Sequence, residues 1–335
     1  MTVLQVVNNT PYLPLMTVLP NEAGIDTLFV VVKGTFPLSS TPVVAPESAP
    51  PNAKDVYWEE PGTSSLKYAS ELHVGKAGTD VVMVGHAYAP KERPVAEVLV
   101  AVIVAERRKI VRVVGDRVWG TMTGAPSRPE PFTKMPLLYE RAFGGVHEPG
   151  GRSAVLAEER NPLGVGFRGR RAPREVVGHK LPNLEDPSEP IRSFGDQPAP
   201  AGFGFTAPAW LPRRQYAGTY DEAWKANRAP YLPRDFDRRF NNAACPELTF
   251  NRFLAGGEPL EITGASPEGL LRVKLPTARP RVMVAINWKL ETPPVVLETV
   301  LLEPDLHRFS LTWRVAVPCD KRALKVQSIT IEGGP

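Results

Sequence analysis

The sequence predicts a mainly β protein: an antiparallel, sandwich-like core carrying a long, ordered, irregular segment and few short helices. Three observations lead there. Both ends of the chain hold β-branched and aromatic runs, in places with the two-residue alternation of strands. Proline makes up 37 of the 335 residues, roughly twice ordinary usage, and it is poor inside helices. The stretch from Pro131 to Phe240 carries 14 Pro and 12 Gly together with 14 Phe, Trp or Tyr. A disordered linker has the first property without the second, because a segment poor in rings cannot bury enough apolar area to offset chain entropy. This stretch therefore reads as irregular structure pinned by aromatics. Long ordered loops are usually functional, and the function is expected there.

In chain order, Asp26 to Phe36 is a strand that stops at Pro37. Leu38 to Pro51 is a Pro/Ser-rich loop, read as mobile. Asp80 to Ala89 is a second strand. Glu97 to Val104 and Ile110 to Trp119 flank the charged tip Glu106-Arg107-Arg108-Lys109 as a hairpin. Ala154 to Arg160 and Asp221 to Asn227 each have room for two helical turns, the latter capped by Thr219 or Asp221. Arg281 to Leu290, Val295 to Leu302 and Arg308 to Val317 return to strand. In the last, Phe309, Leu311, Trp313 and Val315 alternate with Ser310, Thr312 and Arg314, the period of a sheet with one wet face. Residues 1–130 and 246–335 form β regions of one compact unit, and 131–245 is draped over them.

Charge and cysteine content narrow the function. The net charge of +4 is local, because Gly151 to Lys180 holds seven Lys/Arg against three Glu. Within it Arg168, Arg170, Arg171 and Arg174 read as solvated loop charge, not as a nucleic-acid site. Cys245 and Cys319 are the only cysteines, too few for a disulfide scaffold and without histidines at metal-ligand spacing. No stretch reaches ~18 uninterrupted apolar residues, and the start lacks a basic leader. The expectation is a cytoplasmic protein with no metal, no cofactor, no nucleic acid and no membrane insertion.

Catalytic motifs are sparse. Gly164-Val-Gly166-Phe-Arg-Gly169 matches the dinucleotide pattern, but Asn161-Pro162 before it and Arg170-Arg171-Ala-Pro173 after it supply neither the strand nor the helix which that chemistry needs. The five histidines are scattered. Glu185, Asp221, Asp235 and Asp237 lie among aromatics, the residue types of a glycosidase or a sugar-binding surface. Arginines beside the last two point more simply to ion pairs and turn caps. The chain is read as non-enzymatic, with an envelope-carbohydrate-binding or hydrolysing protein as the alternative.

An ordered set of phrases adds to this. They run Gly115-Asp116-Arg117-Val-Trp119, Pro131-Phe132 with Met135-Pro136-Leu137, Tyr139-Glu140-Arg141-Ala142-Phe143-Gly144-Gly145, and Asn161-Pro162-Leu-Gly164-Val-Gly166-Phe167. Leu181-Pro182-Asn183-Leu184-Glu185, Trp210-Leu-Pro-Arg213, Ala217-Gly218-Thr219-Tyr220-Asp221 with Trp224, and Leu232-Pro233-Arg-Asp235-Phe236-Asp237 follow. In this order they resemble the bacterial domain-of-unknown-function family numbered 2169, from about Val6 to Val317. The resemblance implies an adaptor or chaperone that holds a type VI secretion effector and loads it onto the spike, through the valine-glycine-repeat protein or its PAAR tip. It implies no catalytic residue. The chain departs from the family's pattern at Ala244-Cys245-Pro246-Glu247, which affects the detail of partner contact there. The expected partner-binding residues are Arg141, Trp210, Arg213, Arg214, Tyr216, Tyr220, Trp224 and Asp235, types enriched at interface hot spots. Trp210, Tyr220 and Trp224 are expected to be mostly buried, and at least one of the three arginines exposed beside Trp210 or Tyr216.

Overall fold

The structure is a computed structural model that describes residues 4–39, 44–45, 48–120, 125–150 and 154–333. The protein is mainly β, with several antiparallel sheets, as the sequence predicts. Its principal strands are β1 (Gln5–Asn8), β2 (Leu13–Pro20), β3 (Asp26–Pro37), β4 (Asp80–Met83), β5 (Glu97–Val104), β6 (Arg107–Val114) and β7 (Leu184–Glu185). The C-terminal part adds β8 (Pro259–Thr263), β9 (Leu270–Lys274), β10 (Arg281–Ile286), β11 (Lys289–Glu291), β12 (Val296–Glu303), β13 (Arg308–Pro318) and β14 (Val326–Glu332). They build three sheets, ordered β2-β3-β13-β12-β4, β7-β6-β5-β8-β9 and β1-β14-β10-β11. Inward residues of all three, among them Val32, Val102 and Val284, belong to one contiguous apolar core.

The first sheet is long because β3 and β13 pair over 11 positions without a slip, from Asp26's neighbour Thr27 to Pro37. One face carries Val30, Val32, Phe36, Phe309, Leu311 and Trp313, all buried. Phe36 stacks on Phe309 at 5.3 Å and Tyr12 leans on Trp313 at 5.1 Å. Gly34 makes room for the Tyr12 ring, which lies 2.6 Å from where a Cβ would stand.

The opposite face is not wet. Lys33, Thr35, Ser310, Thr312 and Arg314 occupy it, and all are buried. The segment from Glu71 to Asp80 covers them with matching charges. Lys33 Nζ lies 3.2 Å from Glu71 Oε2, and Thr312 Oγ1 donates to Glu71 Oε1 at 2.5 Å. Arg314 Nε donates to Glu298 Oε2 at 2.6 Å, and Lys76 Nζ to Asp80 Oδ2 at 2.6 Å. Asn242 Nδ2 and the Ala243 amide complete the Asp80 carboxylate at 2.9 and 2.7 Å. Buried charges persist only when paired and hydrogen-bonded, and here each is met. The Asn241-Asn242-Ala243 phrase is thus internal. Cys245 beside it is buried and its thiol pushed up to about 12 by desolvation. The departure at 244–247 therefore falls largely within the fold, with Glu247 paired to Lys109 at 2.6 Å.

Other elements differ from the sequence reading for local reasons. The hairpin turns on Ala105-Glu106, and Arg107 to Lys109 already lie in β6. A lysine can sit there because Lys109 reaches Glu247 and Asp186. β6 ends at Val114, so Gly115–Trp119 is loop. Asp80 to Ala89 breaks at Val84-Gly85 into β4 and a short strand, His86–Tyr88. Arg281 to Leu290 is a tight hairpin, not one strand. Ala154 to Arg160 is not helical: Leu156–Ala157 pairs with Val146–His147, and the Glu158 amide bonds Gly145 O. The helix Glu222–Asn227 does form, capped by Asp221, whose carboxylate accepts from the Trp224 amide at 2.8 Å. In the Leu38–Pro51 loop, residues 40–43 and 46–47 lie outside the described residues. The Ala45 and Ala49 amides bond the Thr35 carbonyl and hydroxyl.

The central segment is irregular and pinned by rings. Trp119, Phe143, Val176, Leu181 and Ile191 form a second small core with Phe167 and Phe194 against it. β7 joins this segment to β6.

Candidate functional site

Four of the phrases meet at one cleft. Gly115 to Trp119 leaves β6, and the turn Tyr139–Arg141 leads into Phe143–Gly144. That two-residue strand pairs in parallel with Val165–Gly166. The approach is close enough that a Cβ on Gly144 would fall inside the Asn161 carbonyl. Asn161, fully buried, holds the turn by donating through Nδ2 to Tyr139 O (2.7 Å) and Phe143 O (3.1 Å). Leu181 to Glu185, which ends in β7, closes the far side.

The resulting open cleft has a volume of about 450 Å³, and Asp116, Arg117, Glu140, Arg141, Lys180 and Asn183 are among its lining residues. A hollow of about 280 Å³ continues from it past Val165 and Lys180 to Trp119 and Phe167. Its polar groups are fixed by one another. Arg141 Nη1 donates to Asn183 Oδ1 at 3.0 Å, and Asn183 Nδ2 donates to Asp116 Oδ1 and Val114 O, both at 2.9 Å. Glu140 accepts from the Ser65 amide (2.6 Å) and hydroxyl (2.8 Å). Beneath, Glu185 is buried between two cations. Arg117 Nη2 lies 2.5 Å from Oε1 and Arg112 Nη1 3.0 Å from Oε2. Side chains held this way are preorganised to meet a ligand without reordering. Lys180 is exposed at the rim.

The sequence-predicted residues do not all converge. Arg141 lies in the cleft. Trp210 is buried edge-on against Tyr139 at 5.5 Å. Arg213 is also buried, its Nε and Nη1 donating to Phe240 O (2.8 Å) and Thr206 O (2.5 Å). These two support the fold and are unavailable to a partner. Arg214 is the exposed arginine, paired with Glu159 at 3.0 Å. Tyr216 is half-buried beneath Arg239, whose guanidinium carbon is 4.3 Å from the ring centroid.

Tyr220, Trp224 and Asp235 belong to a separate surface lobe. Tyr220 is 55% exposed, against the expectation of burial, and Trp224 is half-buried. The two rings meet edge to face at 4.7 Å, and that contact replaces a core for them. Asp221, Trp224 and Asp235 line a hollow of about 320 Å³ there. Asp235 accepts from the Thr219 amide (3.0 Å) and hydroxyl (2.7 Å), bonds that hold its carboxyl below the ordinary value. Asp237 is likewise lowered, chiefly by its hydrogen bond from Arg239.

Of the basic set, Arg168 lies 4.9 Å from the centroid of Phe194 and Arg171 Nη1 bonds Phe167 O at 3.2 Å, while Arg170 and Arg174 are exposed. Gly164 to Gly169 is followed by loop up to a four-residue helix at Pro173–Val176, not by the helix a pyrophosphate needs. Among the described residues no group of three or more His, Cys, Asp or Glu is placed to hold a metal ion.

Sequence reasoning passed over Asp116, Glu140, Lys180 and Asn183 as site residues. Three of them stood inside the quoted phrases, and the signal was the recurrence of polar residues beside glycines that let loops approach. No curated protein and no solved structure matches the chain. A comparison with families of related sequences matches residues 23–314 to the family described as "Uncharacterized protein conserved in bacteria (DUF2169)". With most of its length covered by that match, and its phrases gathered around one cleft, the chain belongs to this bacterial family of uncharacterised proteins.

Proposed function

We propose that the chain is a non-enzymatic adaptor or chaperone that binds a secreted type VI effector in the cytoplasm. It would help load that effector onto the spike, through the valine-glycine-repeat protein or its PAAR tip. One observation carries this reading. Phrases from four separate parts of the chain supply one open cleft in which Asp116, Glu140, Arg141 and Asn183 are held in place by their neighbours while Lys180 stands exposed at the rim. Such a surface is suited to holding a partner segment. The four carboxylates considered for hydrolysis each have a structural partner in Arg117, the Trp224 amide, Thr219 or Arg239.

The test is co-purification on the tagged chain from cells that carry the effector and spike genes, together with deletion of the gene. Effector and spike components should be captured, and deletion should lower effector abundance and secretion. Lys180→Glu should reduce capture at least several-fold while leaving the melting temperature unchanged. Capture of neither component, with secretion unchanged in the deletion, would sink the reading.

A second reading, carbohydrate binding, rests on the shared hollow of Asp221, Trp224 and Asp235. Binding is favoured over hydrolysis at Asp235, because the hydrogen bonds from Thr219 lower its carboxyl whereas a glycosidase acid needs a raised value. Muropeptides that failed to perturb the fluorescence of the Trp224 lobe would exclude it.

A further inference from the structure

Far along the chain from the cleft, β10 and β11 are joined by the two-residue turn Asn287-Trp288, with φ of +50° and +65°. Both central residues of a tight hairpin turn of this kind need positive φ, and Asn-Gly is the favoured pair. A tryptophan in that place works against the local backbone preference, and such strain in a folded protein is a pointer to function. Trp288 buries nothing in return: it is 87% exposed. Its backbone is nonetheless fixed. The Asn287 amide donates to Lys325 O at 3.0 Å, and the Trp288 amide to Gln327 Oε1 at 3.3 Å.

Those bonds bring the turn against the C-terminal end of the short helix Asp320–Lys325, where Leu324 is 95% exposed. Leu290 on β11, the edge strand of its sheet, is 67% exposed. Three large apolar side chains thus stand in water at one end of the sheet β1-β14-β10-β11. Lys289, Lys321 and Lys325 are interspersed with them, all exposed, and none forms an ion pair among the described residues. An exposed tryptophan on a hydrogen-bonded turn, with uncommitted lysines on the adjoining strand and on the helix bonded to that turn, has the composition of an interface anchor.

We propose that this tip is a docking site for a protein partner presenting an apolar pocket rimmed by carboxylates. Trp288 enters the pocket, Leu290 and Leu324 seal its margin, and the three lysines meet the acidic rim. Charge complementarity selects an acidic partner. A protein is favoured over a lipid surface because Glu291 and Asp320 stand exposed among the lysines. An anionic bilayer would repel those two, whereas a protein rim can place a cation opposite each. The proposal rests on the adaptor reading and adds to it a contact surface separate from the cleft.

The experiment co-expresses the full chain with each protein encoded beside its gene. Wild type is compared with Trp288→Gly, with the pair Lys289→Glu and Lys325→Glu, and with Lys180→Glu in the cleft. One neighbour should co-purify with wild type. Its affinity should fall at least tenfold in Trp288→Gly and in the charge-reversed pair. The melting temperature of Trp288→Gly should be equal to or above that of wild type, because glycine suits the turn. Binding of Trp288→Gly within twofold of wild type, with loss in Lys180→Glu, overturns the tip and leaves the adaptor reading standing. Failure of every neighbour to bind wild type overturns both. Two parallel measurements catch the other occupants: flotation with phosphatidylcholine–phosphatidylglycerol vesicles at a 70:30 ratio, and sedimentation velocity. Loss in Trp288→Gly of vesicle binding or self-association, with neighbour binding unchanged, assigns the tip to lipid or to a second copy and overturns the proposal.

Discussion

Arg213 carries its guanidinium into the core, where Nε and Nη1 donate to the Phe240 and Thr206 carbonyls, while Arg214 turns to solvent and Glu159. Arg213→Ala would strand two buried acceptors, at about 1–3 kcal/mol each. Arg214→Ala removes an exposed pair and should shift stability by less than about 0.5 kcal/mol. Urea titrations of the two variants separate these outcomes; equal losses would contradict the assignment. His73 offers a pH test. It is nearly buried, and desolvation, followed by the Arg314, Lys76 and Arg213 cations, lowers its pKa well below the ordinary 6.5. The folded protein therefore refuses a proton that the unfolded chain accepts. Stability is complete above about pH 6.5 and declines as pH falls below it, by up to about 1.4 kcal/mol per unit. Melting curves between pH 7 and 5.5 should slope downward in wild type and flatten in His73→Gln. The arginines were legible as functional candidates only by type, because burial depends on which carbonyls the fold brings near.

β13 shows what a strand's sequence declares and what it conceals. Its alternation was legible and its apolar face is the one predicted. Its polar face was misread, because Ser310, Thr312 and Arg314 announce water unless something distant covers them. Here Glu71, Lys76 and Glu298 do so. Arg314→Met should destabilise by about 3–5 kcal/mol, since it leaves the Glu298 carboxylate buried without its main cation. Adding Glu298→Leu should restore most of that loss, because a matched apolar pair replaces a matched ionic one. Guanidinium unfolding of the single and double variants measures this; additive losses would mean the two charges are not coupled. The short pairings of the central segment were illegible for a different reason. Strands of two residues have no period, and their register is set by loops such as Asn161's.

For the molecule as a whole, most of the long flanking strands could be read from the chain, though β2 and β14 were missed, and the ring-pinned centre could be read as well. The cleft could not, because its walls come from phrases separated by up to about 70 residues and only their meeting defines it. The sealed face of the first sheet has a further consequence, for the order in which the protein can be made. Lys33 must await Glu71, Asp80 must await Asn242 and Ala243, and Lys76 must await Glu298 and Thr299. Every one of these contacts spans a long stretch of sequence, and such topologies fold slowly because chain closure precedes any reward. A chain growing from its N-terminus has neither β12 nor β13 until residues 296–318 have been made, and until then β3 shows both its faces, apolar and charged. A fragment ending at residue 245 should accordingly show no cooperative melting and should aggregate; a sharp transition in that fragment would refute this. Through most of its synthesis the chain therefore carries an unfinished sheet whose exposed faces invite aggregation.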